Sequence, residues 1–170
     1  MPCFVVLLRA VNVGGTGKLP MSALKTIAEA AGLRDVRTYI ASGNVIGSSA
    51  KPEHDVKAAL EKRLADYAGK PVGVIMRTDA EMMAVLEDNP FKARPANKTV
   101  AIFLDAPPPS DSLDPATGRS DEELKLGRRE IYVYYPRGIG RSKLRIPAAV
   151  SGTARNINTI AKLASMAREG

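Results

Sequence analysis

The stretch Phe4-Val5-Val6-Leu7-Leu8-Arg9-Ala10-Val11-Asn12-Val13-Gly14-Gly15-Thr16-Gly17-Lys18-Leu19-Pro20 sets the reading of the whole chain. Its apolar start reads as a buried strand from about Phe4 to Arg9. A polar, glycine-rich loop follows, and an amphipathic pattern begins at Pro20. Proline suits the first turn of a helix, where its missing N–H is not needed. Strand, glycine loop and helix N-terminus in that order can aim backbone N–H groups at an anion. The same glycines also suit a plain tight turn between strand and helix, and both readings stand at this point.

Working outward, Met21, Leu24, Ala28 and Ala31 repeat at helical spacing, and Gly32 is placed to end the helix. Two β-prone runs, Val36 to Ala41 and Val45 to Ile46, flank Ser42-Gly43-Asn44, which predicts a hairpin or bulged bend. Pro52 opens a second helix with Val56, Ala59, Leu60, Leu64 and Tyr67 on one face and Gly69 at its end. Val72 to Met76 is the next strand. The order is βαββαβ, the split βαβ or ferredoxin-like arrangement with an antiparallel sheet and both helices on one face. In that topology the first and third strands are central and antiparallel, so Ser42 and Asn44 are expected beside Arg9 and Asn12.

The second half reads as a smaller α+β part that partly echoes the first with β, short α, ββ and α. A short helix is expected near Asp79 to Asp88, broken at Asn89-Pro90-Phe91. A strand follows at Val100 to Leu104, then a hairpin of Glu123 to Gly127 and Ile131 to Tyr135. Two closing helices are expected near Ser142 to Val150 and Asn156 to Ala167. On the last, Ile157, Ile160, Ala161 and Ala164 share the core face, with Arg155, Thr159 and Lys162 opposite. The subdomains are expected at 1–78 and 79–170, and the fold class is α+β.

Charge is unevenly placed. The net is +7, and residues 119–170 hold eleven Lys/Arg against five Asp/Glu. Seven of these cations lie between Lys125 and Arg145, with Tyr132, Tyr134 and Tyr135 among them. A basic, tyrosine-bearing segment suits a phosphate-bearing partner, a small molecule or nucleic acid, or else a solvated face. No apolar run reaches the roughly 18 to 20 residues of a membrane span. One cysteine, Cys3, excludes an intrachain disulfide and points to the cytoplasm. Oligomeric state leaves no mark in the sequence.

Gly14-Gly15-Thr16-Gly17-Lys18 is not a P-loop. Asn12 stands where that motif needs its first glycine, and Leu19 where it needs Ser or Thr for magnesium. A dinucleotide fingerprint fails at Pro20, where its third glycine belongs. The one histidine, His54, lies among charged residues, and neither it nor Cys3 has the company of a metal site or a nucleophile–base pair. No metal and no cofactor are expected. The candidate ligand site is Arg9, Asn12, Gly14, Gly15, Lys18, Ser42 and Asn44, closed by Lys143, Arg155 and Asn158. It suits an anionic ligand. An enzyme acting on a phosphorylated or carboxylated molecule through Lys18 or Lys143, and a structural domain whose polar clusters are only turns and caps, are the alternatives.

At these residues the chain resembles the family known as domain of unknown function 1697, a group of bacterial proteins. The resemblance rests on Leu7 to Gly15, Lys18 with Pro20-Met21 and Leu24, Val36 to Val45, Asn89-Pro90-Phe91, Ser142-Lys143-Leu144, and Thr153 to Leu163. Ile157 stands where the family usually shows tryptophan, which argues against stacking there. The resemblance implies an α+β fold of ferredoxin-like character and no assigned activity.

Overall fold

The computed structural model describes residues 1–9, 20–39 and 43–169. These form two compact units, Met1–Met82 with Lys162–Gly170, and Met83–Ala161. Each sheet has four strands, all neighbours antiparallel.

The first unit contains β1 (Cys3–Arg9), α1 (Met21–Ala30), β2 (Arg34–Tyr39), β3 (Asn44–Ser48), α2 (Glu53–Ala68) and β4 (Gly73–Thr78). Its strand order is β2-β3-β1-β4, so β1 and β3 are the central antiparallel pair. Val6 lies opposite Val45 on one side and Met76 on the other. The two-residue period of a strand then gathers Phe4, Val6, Leu8, Val45, Val74 and Met76 on one face. Leu24 and Ala28 of α1 pack there with Val56, Leu60 and Leu64 of α2, so both helices cover the same face. Val5, Leu7, Ile46 and Ile75 on the opposite face are buried as well. Burial on both faces is why Phe4 to Leu8 is apolar without alternation. Each fully buried leucine contributes roughly 1.5 to 3 kcal/mol.

Local chemistry sets the helix ends. Pro20 holds an extended backbone, and its carbonyl accepts from Leu24 N–H at 3.0 Å, the first bond of α1. Gly69 closes α2 in the left-handed conformation. Tyr67, expected on the buried face, is exposed in the last turn of α2, where Leu64 is the last residue of the helix buried in the core. The next helix, α3 (Asp79–Glu87), begins at a capping box. Thr78 Oγ1 accepts from Glu81 N–H at 3.1 Å, while Glu81 Oε1 accepts from Thr78 N–H at 2.8 Å. The helix stops where Asn89 Oδ1 accepts from Phe91 N–H across Pro90.

The second unit holds β5 (Thr99–Phe103), β6 (Glu123–Leu126), β7 (Glu130–Tyr134) and β8 (Thr153–Asn156), in the order β6-β7-β5-β8. Val100, Ile102, Leu104, Ile131, Val133, Tyr135 and Ile146 form its core. The last helix, α4 (Ile157–Glu169), starts where Asn156 Oδ1 accepts from Thr159 N–H at 2.8 Å.

Two expectations are corrected here. The segment Ser142 to Val150 is not an α-helix; the chain makes single 3₁₀ turns at Ile139–Arg141 and Pro147–Ala149. Pro147 is the cause, since it bars the residue before it from helical backbone, and Ile146 is extended at φ −116° and ψ 109°. Thr153 to Asn156 form a strand rather than a helix start, with Ala101 opposite Arg155. The α4 register then centres on Ile160, Leu163, Ala164 and Ala167, which leaves Ala161 outside the core.

Candidate functional site

In the first unit, Arg9, Leu7 and Asn44 share one face of the sheet, with Leu7 directly opposite Asn44. Asn44 is fully buried, and its Nδ2 donates to the Tyr39 carbonyl at 3.0 Å. That bond ties the end of β2 to the start of β3. Arg9 lies opposite Gly73, and a β-carbon there would sit 3.1 Å from Arg9 Cβ and 3.4 Å from its Cδ. The arginine stem thus packs closely over the Gly73 backbone. Asn12, Gly14, Gly15, Lys18 and Ser42 lie outside the described residues.

The tyrosines of the basic segment do not make a stacking platform. Tyr132 is buried and its hydroxyl donates to the Val85 carbonyl at 2.8 Å. Tyr135 is packed in the core of the second unit. Tyr134 is half-buried beside Phe91, with the Arg94 guanidinium 5.2 Å from its ring centre. Arg94 is itself held by Glu123 at 3.0 Å. The alternation expected for this strand is present, with Ile131, Val133 and Tyr135 on the core face.

What the segment does build is a groove of about 230 Å³. One side runs from Gly118 to Glu122, and the other from Tyr135 to Lys143. Glu122 holds the two sides together. Its carboxylate accepts from Ser120 N–H at 2.6 Å and from the Ser142 hydroxyl. Ser142 Oγ in turn accepts from Leu144 N–H at 3.1 Å. The Ser142 hydroxyl, then the Ser120 N–H, hold the Glu122 carboxyl below its ordinary range. Below the groove, Thr117 and Arg145 exchange backbone bonds of 2.9 and 2.8 Å. Gly118 has φ +70°, and a β-carbon on it would collide with the Lys143 carbonyl oxygen. This close crossing sets where Lys143 stands.

Three exposed cations border the groove, Arg137, Arg141 and Lys143. Arg137 is engaged, its Nε donating to Asp121 Oδ2 at 2.9 Å. Tyr135 contributes a phenol that burial, with Glu122 nearby, keeps above its ordinary range.

The remaining expected residues of this unit fall elsewhere. Arg155 was expected on the solvent side of a helix; it is a strand residue and only 9% exposed. Its Nη1 donates to Thr153 Oγ1 at 2.8 Å and to the Ala154 carbonyl at 2.9 Å. Burial pulls its guanidinium down to about 10, so it stays charged at neutral pH. Asn158 is exposed on α4, where Asn156 does the capping. Neither borders the groove. Ser120 and Glu122, which shape it, carry no signal in the sequence beyond the acidic run Asp121-Glu122-Glu123.

Among the described residues no three of His, Cys, Asp and Glu are grouped so as to hold a metal ion. His54 is exposed and paired with Asp55 at 3.0 Å. No helix among the described residues is long and apolar enough to cross a membrane.

Comparison with known proteins adds a family and a fold. A family model described as a protein of unknown function (DUF1697) matches residues 1–132. Ser142-Lys143-Leu144 and Thr153 to Leu163 lie beyond that match. The solved structure of the conserved bacterial protein SP0830 from Streptococcus pneumoniae is similar over 99% of each chain, with a TM-score of 0.80 and 23% identity. At that identity the likeness is one of fold. No curated protein matches the chain.

Proposed function

Because the chain belongs to the DUF1697 family of proteins of unknown function, membership brings no activity with it, and we propose that the protein is a binding module for an anionic ligand. The observation that carries this is the groove of the second unit. Arg141 and Lys143 border it, and Glu122 clamps Ser142 between them. A site whose supporting side chains are already held needs little reorganisation on binding. The excess of cations after residue 119 adds a field that favours an anion's approach. Lys143 is the expected site residue that this reading retains. A cytoplasmic setting accords with it, supported by the single, buried Cys3.

The test is calorimetric titration of the whole protein with inorganic pyrophosphate at low salt. Wild type is expected to bind, and Lys143→Ala to bind about tenfold or more weakly, since one charge-assisted contact is worth roughly 1.5 to 3 kcal/mol. Wild type that takes up no pyrophosphate at millimolar concentration, or a variant that binds equally well, removes the reading.

A further inference from the structure

We infer that the groove takes the phosphomonoester group of a small phosphorylated metabolite, and not the backbone of a nucleic acid; this rests on the anion-binding reading above. Size is the first argument. Pockets that enclose a drug-sized ligand run from about 300 to 1,000 Å³. This one, at about 230 Å³, matches a phosphoryl group on a short carbon body more closely than a whole nucleotide.

Charge is the second. Asp121 occupies Arg137. Among the described residues, the side chains of Arg141 and Lys143 make no ion pair or hydrogen bond. Two such cations match a phosphomonoester, which carries about −1.5 to −2 at pH 7 and three acceptor oxygens. The Arg141 fork and the Lys143 ammonium differ in donor geometry, and Ser120 also lines the groove. A phosphodiester offers one charge to the same pair.

The third argument is what lies across from the cations. Asp121 and Glu122 line the other side. A single-stranded polymer needs a positive track along its path and aromatic faces for its bases. Here a continuing backbone meets carboxylates. The nearby tyrosines are occupied: Tyr132 and Tyr135 are buried and Tyr134 lies under Arg94.

The whole protein is titrated with glycerol phosphate, dimethyl phosphate and a single-stranded oligonucleotide, beside pyrophosphate. Glycerol phosphate is expected to bind at least tenfold more tightly than dimethyl phosphate, and Arg141→Gln and Lys143→Gln each to weaken it about tenfold. Circular dichroism establishes that both variants are folded. If the oligonucleotide binds more tightly than glycerol phosphate, with a steep salt dependence, the monoester assignment is wrong while anion binding stands. If pyrophosphate and all three probes fail to bind, both readings fall.

Discussion

Arg37 Nη1 donates to the main-chain oxygen of Met166 at 2.8 Å, joining residues 129 apart in the chain. Met166 lies in the last turn of α4, where carbonyls have no partner within the helix and the dipole is negative. An arginine on β2 therefore satisfies an orphan acceptor and places its charge at the favourable end of the helix. Arg37→Ala is expected to destabilise the protein by roughly 1.5 to 3 kcal/mol, as for other hydrogen bonds to a charged group. Arg37→Lys should recover part of it. Urea unfolding monitored by far-UV circular dichroism gives both values, and equal midpoints for wild type and Arg37→Ala would contradict the role.

Tyr132→Phe is expected to cost about 1 to 2 kcal/mol, because the Val85 carbonyl loses its donor in a buried setting. Burial first, then the charges of Glu130 and Asp88, keep the Tyr132 phenol neutral well past its ordinary range. Folding thus favours the protonated ring. That contribution is complete below the unfolded value of about 10 and is lost as pH rises above it. Thermal unfolding of both proteins between neutral and alkaline pH should show wild type losing its advantage at high pH.

Glu122→Gln tests the clamp across the groove. The carboxylate is favoured in the folded state by the Ser142 hydroxyl and the Ser120 N–H. Its contribution is present above the unfolded value of about 4.3 and is lost as pH falls through the lower, folded one. The variant should be less stable than wild type at pH 7 and approach it under acid.

Gly118→Ala should be among the most damaging single changes in the second unit. The residue has φ +70°, which costs an alanine about 1 kcal/mol, and the added carbon meets the Lys143 carbonyl rather than a mobile side chain. A loss of at least about 2 kcal/mol is expected, with weaker hydrogen-exchange protection at the Thr117 and Arg145 amides. A variant as stable as wild type would show that this crossing can relax.

The sequence by itself determined the elements whose burial leaves a periodic mark. β1 could be read from Phe4 to Leu8 because both its faces are covered. α1, α2 and the β6–β7 hairpin followed from spacing and from the turn residues beside them. Once βαββαβ was legible, the central β1–β3 pairing and the place of Asn44 followed from topology. Only the tertiary structure decided β8, because four residues including an arginine and an asparagine carry too little pattern to outweigh the helix that follows them. It also decided that Arg155 is buried while Lys143 stands at a groove. Nothing local distinguishes two cations twelve residues apart until strand pairing assigns each a face. The Glu122–Ser142 clamp was illegible for a related reason. It depends on two loops meeting, and that contact is set by the Thr117–Arg145 crossing, not by the residues on either side of it.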